Sequence, residues 1–411
     1  MTERRRLHVA FLPYPAHGHT PPMLPLVAEM VRRGHRVTCF TSPAFLERVE
    51  ATGARPVLYG AELETRPAKD WFTVDEVCWM MTDLVNNTMA VAPGIDAEFA
   101  EDWPDVIAYD TTLWAPGRFT TWRARDTVVQ MIATFASNEH FSMAADGGKV
   151  AGEGGTDPGE IDPNHPGLVE LGRLLDKFSG DYGVPADAID GLLEGFDEFS
   201  LVFVPRELQP AGDTFGDSHV FVGSLLSESS ADQGWRPPAN GRPVVLVSLG
   251  TTVNRGPEFF RDTMRAMADL PWHVVMTMGN KVNPDELGEL PDNVEVHKWI
   301  PLDDVLRHAS LLVCQGGMGT VLQSLWHGVP MIVVPHHGEQ KLNADRLDEL
   351  GLARVLSQEQ VSPRALRELA LELIDDTEML RRVAKMRDVV RDSGGVRLAA
   401  DTLEARATGG R

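Results

Sequence analysis

The sequence predicts an α/β protein built from two doubly wound, Rossmann-like parallel-sheet domains, and three observations carry that prediction. Its 411 residues exceed what one hydrophobic core usually fills, so two domains of about 200 residues each are expected. Short apolar runs alternate with amphipathic helical stretches in both halves, the pattern of strand–helix–strand units. In each half an apolar strand also runs straight into a turn before a helix: Pro15-Ala16-His17-Gly18-His19-Thr20 in the first, Gln315-Gly316-Gly317-Met318-Gly319-Thr320 in the second. Turns of that kind lie at the carboxyl ends of parallel strands, where such folds bind ligands.

Taken in order, Leu7 to Leu12 reads as a buried strand. Met23, Leu26, Val27, Met30 and Val31 then recur at helical spacing until Gly34 stops the helix, and Arg36 to Thr41 follows as a second strand. Asp105 to Ala108 is another short apolar run; it ends in Tyr109-Asp110 and so brings Asp110 to the sheet edge that carries the His-Gly-His turn. Between Ala145 and Gly167 the chain is rich in Gly, Asp, Glu and Pro, which predicts a loop rather than core. A second polar stretch, 227–242, contains Gly234-Trp235-Arg236-Pro237-Pro238 and is the expected linker between an amino-terminal domain, 1–226, and a carboxyl-terminal domain, 243–380. Strands near 243–249, 272–278, 293–299, 311–315 and 330–335 make the second sheet, with helical patterns such as Phe259, Met264, Met267 and Leu270 between them. From Pro363 to Thr408 the pattern is helical, with Leu366, Leu369, Leu371 and Leu373 and later Leu398, Ala399 and Leu403; 381–411 are expected to be helices closing the structure.

Lysine and arginine total 38 against 60 acidic residues, a net charge of −22. That charge repels nucleic acid and anionic membranes, so neither is an expected partner. The first six residues are basic, but the apolar run after them breaks at Pro13 and Pro15, too short for a signal peptide or a membrane span. Three cysteines, Cys39, Cys78 and Cys314, show no metal-ligand spacing, and a reducing cytoplasm is the expected location. A monomer or a homodimer is expected.

His19 is a candidate general base just before an apolar helix, with Asp110 available to hold one ring nitrogen so that the other accepts a proton. Alternatively, either histidine of the turn caps the helix or packs at a domain edge. A His-x-His metal site is a third possibility, but no third ligand, Asp-x-Asp triplet or His-Glu-x-x-His motif accompanies it, and metal-free chemistry is expected. The Gly316 to Thr320 turn presents backbone N–H groups suited to a phosphate, or it is simply a tight connection; it is neither Gly-x-Gly-x-x-Gly nor a Walker A. Ser248-Leu249-Gly250-Thr251-Thr252, at the end of the first strand of the second half, is a companion turn. Trp299, followed by Ile300 and Pro301, offers a face for a nucleobase or serves as a core tryptophan. Glu339-Gln340 suit sugar hydroxyls, or supply the acid that a helix start favours.

These features together resemble the macrolide-type branch of the family 1 nucleotide-sugar glycosyltransferases. The resemblance covers nearly the whole chain. It rests on the His-Gly-His-x-x-Pro turn (His17 to Pro22), Val247-Ser248-Leu249-Gly250-Thr251-x-x-Asn254, Leu290-Pro291-Asp292-Asn293-Val294 before Trp299-Ile300-Pro301, and Gly328-Val329-Pro330 leading to Glu339-Gln340. It implies the GT-B fold, in which two Rossmann-like domains face across a cleft, and an inverting, metal-independent transfer of a hexose to a hydroxyl of a hydrophobic small molecule such as a macrolide, polyketide or flavonoid. By position, His19 would be the base and Asp110 its orienting carboxylate. Trp299 and Ile300 would receive the nucleobase, and Gly250, Thr251, Gln315, Gly317, Met318, Gly319 and Thr320 the diphosphate. Gln323 would meet the ribose, and Glu339 with Gln340 the sugar. The co-substrate would be UDP-glucose or a dTDP-sugar, with no resident cofactor. Trp71, Trp79, Met80, Met81, Met89, Phe135 and Phe141 are the apolar candidates for the acceptor pocket.

Two positions depart from the family pattern. Gln315 stands where a histidine usually touches the diphosphate, and Gln323 where a glutamate usually binds the ribose. An amide donates to a phosphate oxygen but does not become cationic. A dTDP-deoxysugar donor, or a binding protein with weak catalysis, are therefore the alternatives.

Overall fold

The structure, a computed structural model, describes residues 5–59, 74–113, 127–143, 162, 164–183, 199–226, 234–250, 256–279, 282–336 and 338–409. These fall into two compact units. One runs as far as Leu225 and takes back the chain from Gly394 onward; the other is Leu226–Ser393.

In the first unit the strands are β1 (His8–Leu12), β2 (Arg36–Thr41), β3 (Arg55–Leu58), β4 (Val106–Asp110), β5 (Val128–Ile132), β6 (Ser200–Val202) and β7 (His219–Phe221). They form one sheet in the order β3-β2-β1-β4-β5-β6-β7 with parallel pairings throughout. Every residue of β1 and β4 is buried, so both strands need helices on both faces. Val9 and Phe11 point to one face, against Met23, Leu26, Val27 and Met30 of α1 (Thr20–Arg32). Ala10 and Leu12 point to the other, against Val91, Ile95 and Phe99 of α3 (Val74–Phe99). The short α2 (Leu46–Glu50) precedes β3. Outside α3 lies α4 (Pro166–Tyr182), where Gly167 allows close approach: a Cβ there would stand 2.8 Å from Cys78 Cβ. The loop expected over 145–167 therefore gives way to helix at Pro166, because proline suits a first helical position; 145–161 lie outside the described residues.

The second unit holds β8 (Val244–Ser248), α5 (Pro257–Met267), β9 (His273–Thr277), β10 (Val294–His297), α6 (Leu302–Leu306), β11 (Ala309–Cys314), α7 (Met318–His327), β12 (Met331–Val333), α8 (Gly338–Glu349), β13 (Ala353–Val355), α9 (Pro363–Ile374) and α10 (Thr377–Asp392). The sheet order is β10-β9-β8-β11-β12-β13, all parallel. The short β13 was not expected from the apolar pattern; three residues, one of them arginine, are too few to show a period.

The carboxyl-terminal helical stretch divides. Its first two helices stay with the second unit, but after Ser393 the chain turns at Gly394 and Gly395, whose φ values are +95° and +52°, and α11 (Gly395–Ala407) joins the first unit. There Ala399, Ala400 and Leu403 enter the core cluster beneath α1. Arg33 pairs with Asp401 at 2.6 Å and Glu404 at 3.1 Å. His35 accepts from the Leu7 N–H through Nδ1 and lies 2.9 Å from Glu404 through Nε2. Among the described residues no helix is long and apolar enough to cross a membrane.

Candidate active site

In a doubly wound sheet, strand order reverses at one point, and the loops leaving the two strands there diverge to opposite faces and open a crevice. In the first unit that point lies between β1 and β4, and the His-Gly-His turn and Asp110 leave these two strands. Asp110 closes β4 and is fully buried. It keeps its charge partnered: Oδ1 accepts from the Thr112 N–H at 2.7 Å, and both oxygens face His19 Nδ1, at 3.2 and 3.0 Å. The Thr112 hydroxyl lies 3.5 Å from the same nitrogen. With Nδ1–H donating to the carboxylate, Nε2 is the basic nitrogen of a neutral imidazole.

His19 occupies the N-cap position of α1 with φ −118° and ψ −60°, and its side chain makes no capping hydrogen bond. The helix-capping alternative therefore fails for His19. Pro21 and Pro22 occupy the first turn, where they lack N–H groups that would need a cap. His17, two residues earlier, is exposed and meets the edge of Phe45 at 5.1 Å instead. Burial, with Asp110 and then Asp83, holds the nearby Tyr14 phenol above its usual range.

In the second unit the reversal lies between β8 and β11, whose ends pair Ser248 with Cys314. The two turns touch: Gly250, at φ +70°, lies so close to Gln315 that a Cβ would stand 2.6 Å from its Nε2. Gln315 is buried, and its Oε1 has no hydrogen-bond partner among the described residues. Gly316 takes φ +84°, and a Cβ there would fall 2.8 Å from Val333 Cγ1. Helix α7 then begins with Gly317 at its N-cap and no side-chain cap, so the first-turn N–H groups at Met318, Gly319 and Thr320 are left for an anion. Met318 is buried, Gly319 exposed and Thr320 intermediate.

Trp299 is 64% exposed, which rules out the core-tryptophan alternative, while the neighbouring Ile300 is buried. Gln323 is half-buried on α7, and Glu339 half-buried at the start of α8. Gln340 is buried, and its Oε1 accepts from the His336 N–H at 2.9 Å, so what it offers a ligand is its amide NH2. Thr251 lies outside the described residues, as do Trp71 and the side chains of Met80 and Met81. Of the other acceptor candidates, Trp79 and Phe141 are half-buried, and Met89 packs into the α3–α4 cluster with Phe178. Phe135, just beyond β5, is buried at 2% exposure and meets the Phe141 ring in a T-shaped contact at 6.1 Å.

Sequence reasoning missed Thr112 and Asn343. Asn343 is buried on α8 and its Nδ2 donates to the Gly316 carbonyl at 2.8 Å, bracing the turn into α7. The readable signal was the buried face of α8, where Gln340 and Asn343 sit at the spacing that apolar residues normally fill. Among the described residues no group of three or more His, Cys, Asp or Glu is arranged to hold a metal ion.

Residues 261–393 match the family model described as Erythromycin biosynthesis protein CIII-like, C-terminal domain. The whole chain is similar to the oleandomycin glycosyltransferase of Streptomyces antibioticus, with 36% identity over 98% of this chain and 92% of that protein. It is 33% identical to the demethyllactenocin mycarosyltransferase of Streptomyces fradiae over 97% of this chain and 86% of that one. Among solved structures, the calicheamicin glycosyltransferase CalG4 superposes with a TM-score of 0.85 at 35% identity, over 98% of this chain and 99% of that one.

Proposed function

The chain belongs to the macrolide-type branch of the family 1 nucleotide-sugar glycosyltransferases, enzymes of GT-B fold that act on small molecules by inverting, metal-independent transfer, and on that premise we propose that it moves a hexose from UDP-glucose to a hydroxyl of a macrolide or similar hydrophobic acceptor. His19 Nε2 takes the acceptor proton. The freed oxygen attacks the anomeric carbon from the face opposite the diphosphate, the carbon–diphosphate bond breaks, and the configuration inverts in one displacement. Asp110 holds the imidazole and stabilises it once it is protonated. The charge on the departing nucleoside diphosphate is met by the first-turn N–H groups of α7 and by the Gln315 amide, with no divalent ion.

The observation that carries this reading is the contact of His19 Nδ1 with a fully buried carboxylate at the strand-order reversal of the first sheet. It supports a base oriented for proton abstraction. Trp299, a large aromatic face left exposed, supports a nucleobase platform, and Glu339 with the Gln340 amide supports a hydroxyl-rich sugar. The macrolide acceptor is supported by the name of the oleandomycin relative.

A second donor class has a specific observation in its favour. Gln323 replaces the carboxylate expected at the ribose, and one relative is a mycarosyltransferase, so dTDP-sugars are the second reading. The test measures nucleotide release from UDP-glucose and dTDP-glucose over a panel of macrolides and hydroxylated aromatics, with mass spectrometry of the products. A product heavier by one hexose is the expected result; donor binding without any product would favour a binding protein.

A further inference from the structure

Tyr14 stands between Pro13 and Pro15 where the chain leaves β1. A residue before proline is confined to extended backbone, and the Tyr14 carbonyl is held twice, by the Thr20 hydroxyl and by the Ala16 N–H, both at 2.8 Å. The Ala16 carbonyl in turn accepts from the N–H groups of His19 and Thr20, at 3.0 Å each. The turn is therefore closed on itself by hydrogen bonds, and the closure brings two rings together. The Tyr14 and His19 centroids lie 5.4 Å apart with their planes at 76°, a T-shaped contact. Tyr14 also packs against the core cluster of Leu12, Phe40, Val91 and Ile95, so the ring that meets the imidazole is backed by the interior of the unit.

An imidazole torsion has broad wells, so a bond at one nitrogen does not by itself set the plane of the ring. Asp110 fixes one nitrogen; a flat neighbour fixes the plane. We propose that Tyr14 is a positioning residue for the transfer reaction: its ring holds the His19 imidazole in the orientation that keeps Nδ1 on Asp110 and presents Nε2 to the acceptor hydroxyl. The inference rests on His19 acting as the base. It concerns the ring rather than the hydroxyl, because among the described residues the phenol makes no hydrogen bond to His19 or Asp110. Among the described residues, the groups that face the pair include Asp110 from β4, the Thr112 hydroxyl, and Asp83 from α3, whose charge acts on Tyr14.

The experiment compares Tyr14→Phe, which keeps the ring, with Tyr14→Leu, which removes it. Tyr14→Phe should stay within about twofold of native kcat, whereas Tyr14→Leu should lower kcat about tenfold with donor KM unchanged, since small misplacements of a reacting group are costly. Pairing with a carboxylate raises a histidine pKa; loosening the pair lowers it, so the acid limb of kcat/KM should move to lower pH in Tyr14→Leu while the plateau falls. NMR titration of His19 reads the same shift without turnover. In an Asp110→Asn background, Tyr14→Leu should cost less than about twofold more, because the pair it serves is already gone. A native rate and native His19 titration in Tyr14→Leu would overturn the proposal, as would losses that multiply with those of Asp110→Asn, or an equal loss in Tyr14→Phe. If thermal melts show that Tyr14→Leu does not fold, Tyr14→Met carries the test. Failure of the underlying reading looks different: native enzyme that releases no nucleotide with any acceptor, or a His19→Ala variant of native rate.

Discussion

Two histidines two positions apart in the same turn have the same intrinsic chemistry, and what separates them is the carboxylate that His19 reaches. His19 lies 3.0 Å from Asp110 while His17 lies against Phe45. His19→Ala should therefore lower kcat by about two orders of magnitude or more, the scale of a lost general base, with donor binding retained by calorimetry; His17→Ala should cost far less. Asp110→Asn should act through His19, so the double variant should lose little beyond His19→Ala, and steady-state rates of all three would expose independent roles. At Gln323 the expectation concerns the donor. A carboxylate accepts from both ribose hydroxyls, whereas an amide divides its acceptor and donor. UDP-glucose and dTDP-glucose should then differ by less than about tenfold in kcat/KM, about 1.4 kcal/mol, and Gln323→Glu should move preference toward UDP. Competition between the two donors measures both. The residue types were legible in the sequence at each of these positions, and the family resemblance already set His19 beside Asp110; the geometry of that contact and the placement of His17 against Phe45 were not, because they depend on which way a turn directs its side chains.

Among the elements, the turn into α7 separates two uses of glycine. At Gly316 the backbone is left-handed and Val333 fills the space beside it, so Gly316→Ala should destabilise the second unit by about 1–3 kcal/mol and weaken donor binding with it. Gly319, on the first turn of the helix, has nothing within 4 Å of a Cβ. Gly319→Ala should leave stability unchanged or raise it by up to about 1 kcal/mol, yet raise donor KM, since the methyl stands where an anion would approach the backbone. Paired thermal melts and donor titrations distinguish the two. The sequence identified both glycines without ranking them: φ and the packing of β12 against the turn are set by residues remote in the chain.

For the whole molecule, the last helix decides what the first unit consists of. Ala399, Ala400 and Leu403 are fully buried beneath α1, and Arg33 and His35 meet Asp401 and Glu404 of the same helix. Ending the chain after Ser393 should leave the second unit folded and the first open to proteolysis, and Leu403→Ala alone should cost about 2–5 kcal/mol. Limited proteolysis with mass spectrometry of the fragments checks the first expectation and chemical denaturation the second. A native-like first unit in the truncated chain would contradict this account of its core.

By itself the sequence determined the two parallel sheets, because a strand buried on both faces and a one-faced helix each write their period locally, and the two alternate in both halves. It also determined the chemical types at the strand ends: imidazole and carboxylate in one sheet, glycine and amide in the other. Only the tertiary structure decided how closely these groups meet and what surrounds them. The 3.0 Å contact of His19 with Asp110, the bracing of Gly316 by Asn343, the burial of Phe135, the exposure of Trp299 and the return of α11 to the first unit all depend on residues distant in the chain. No local period encodes such contacts; they follow from which strands lie side by side and from the space left between them.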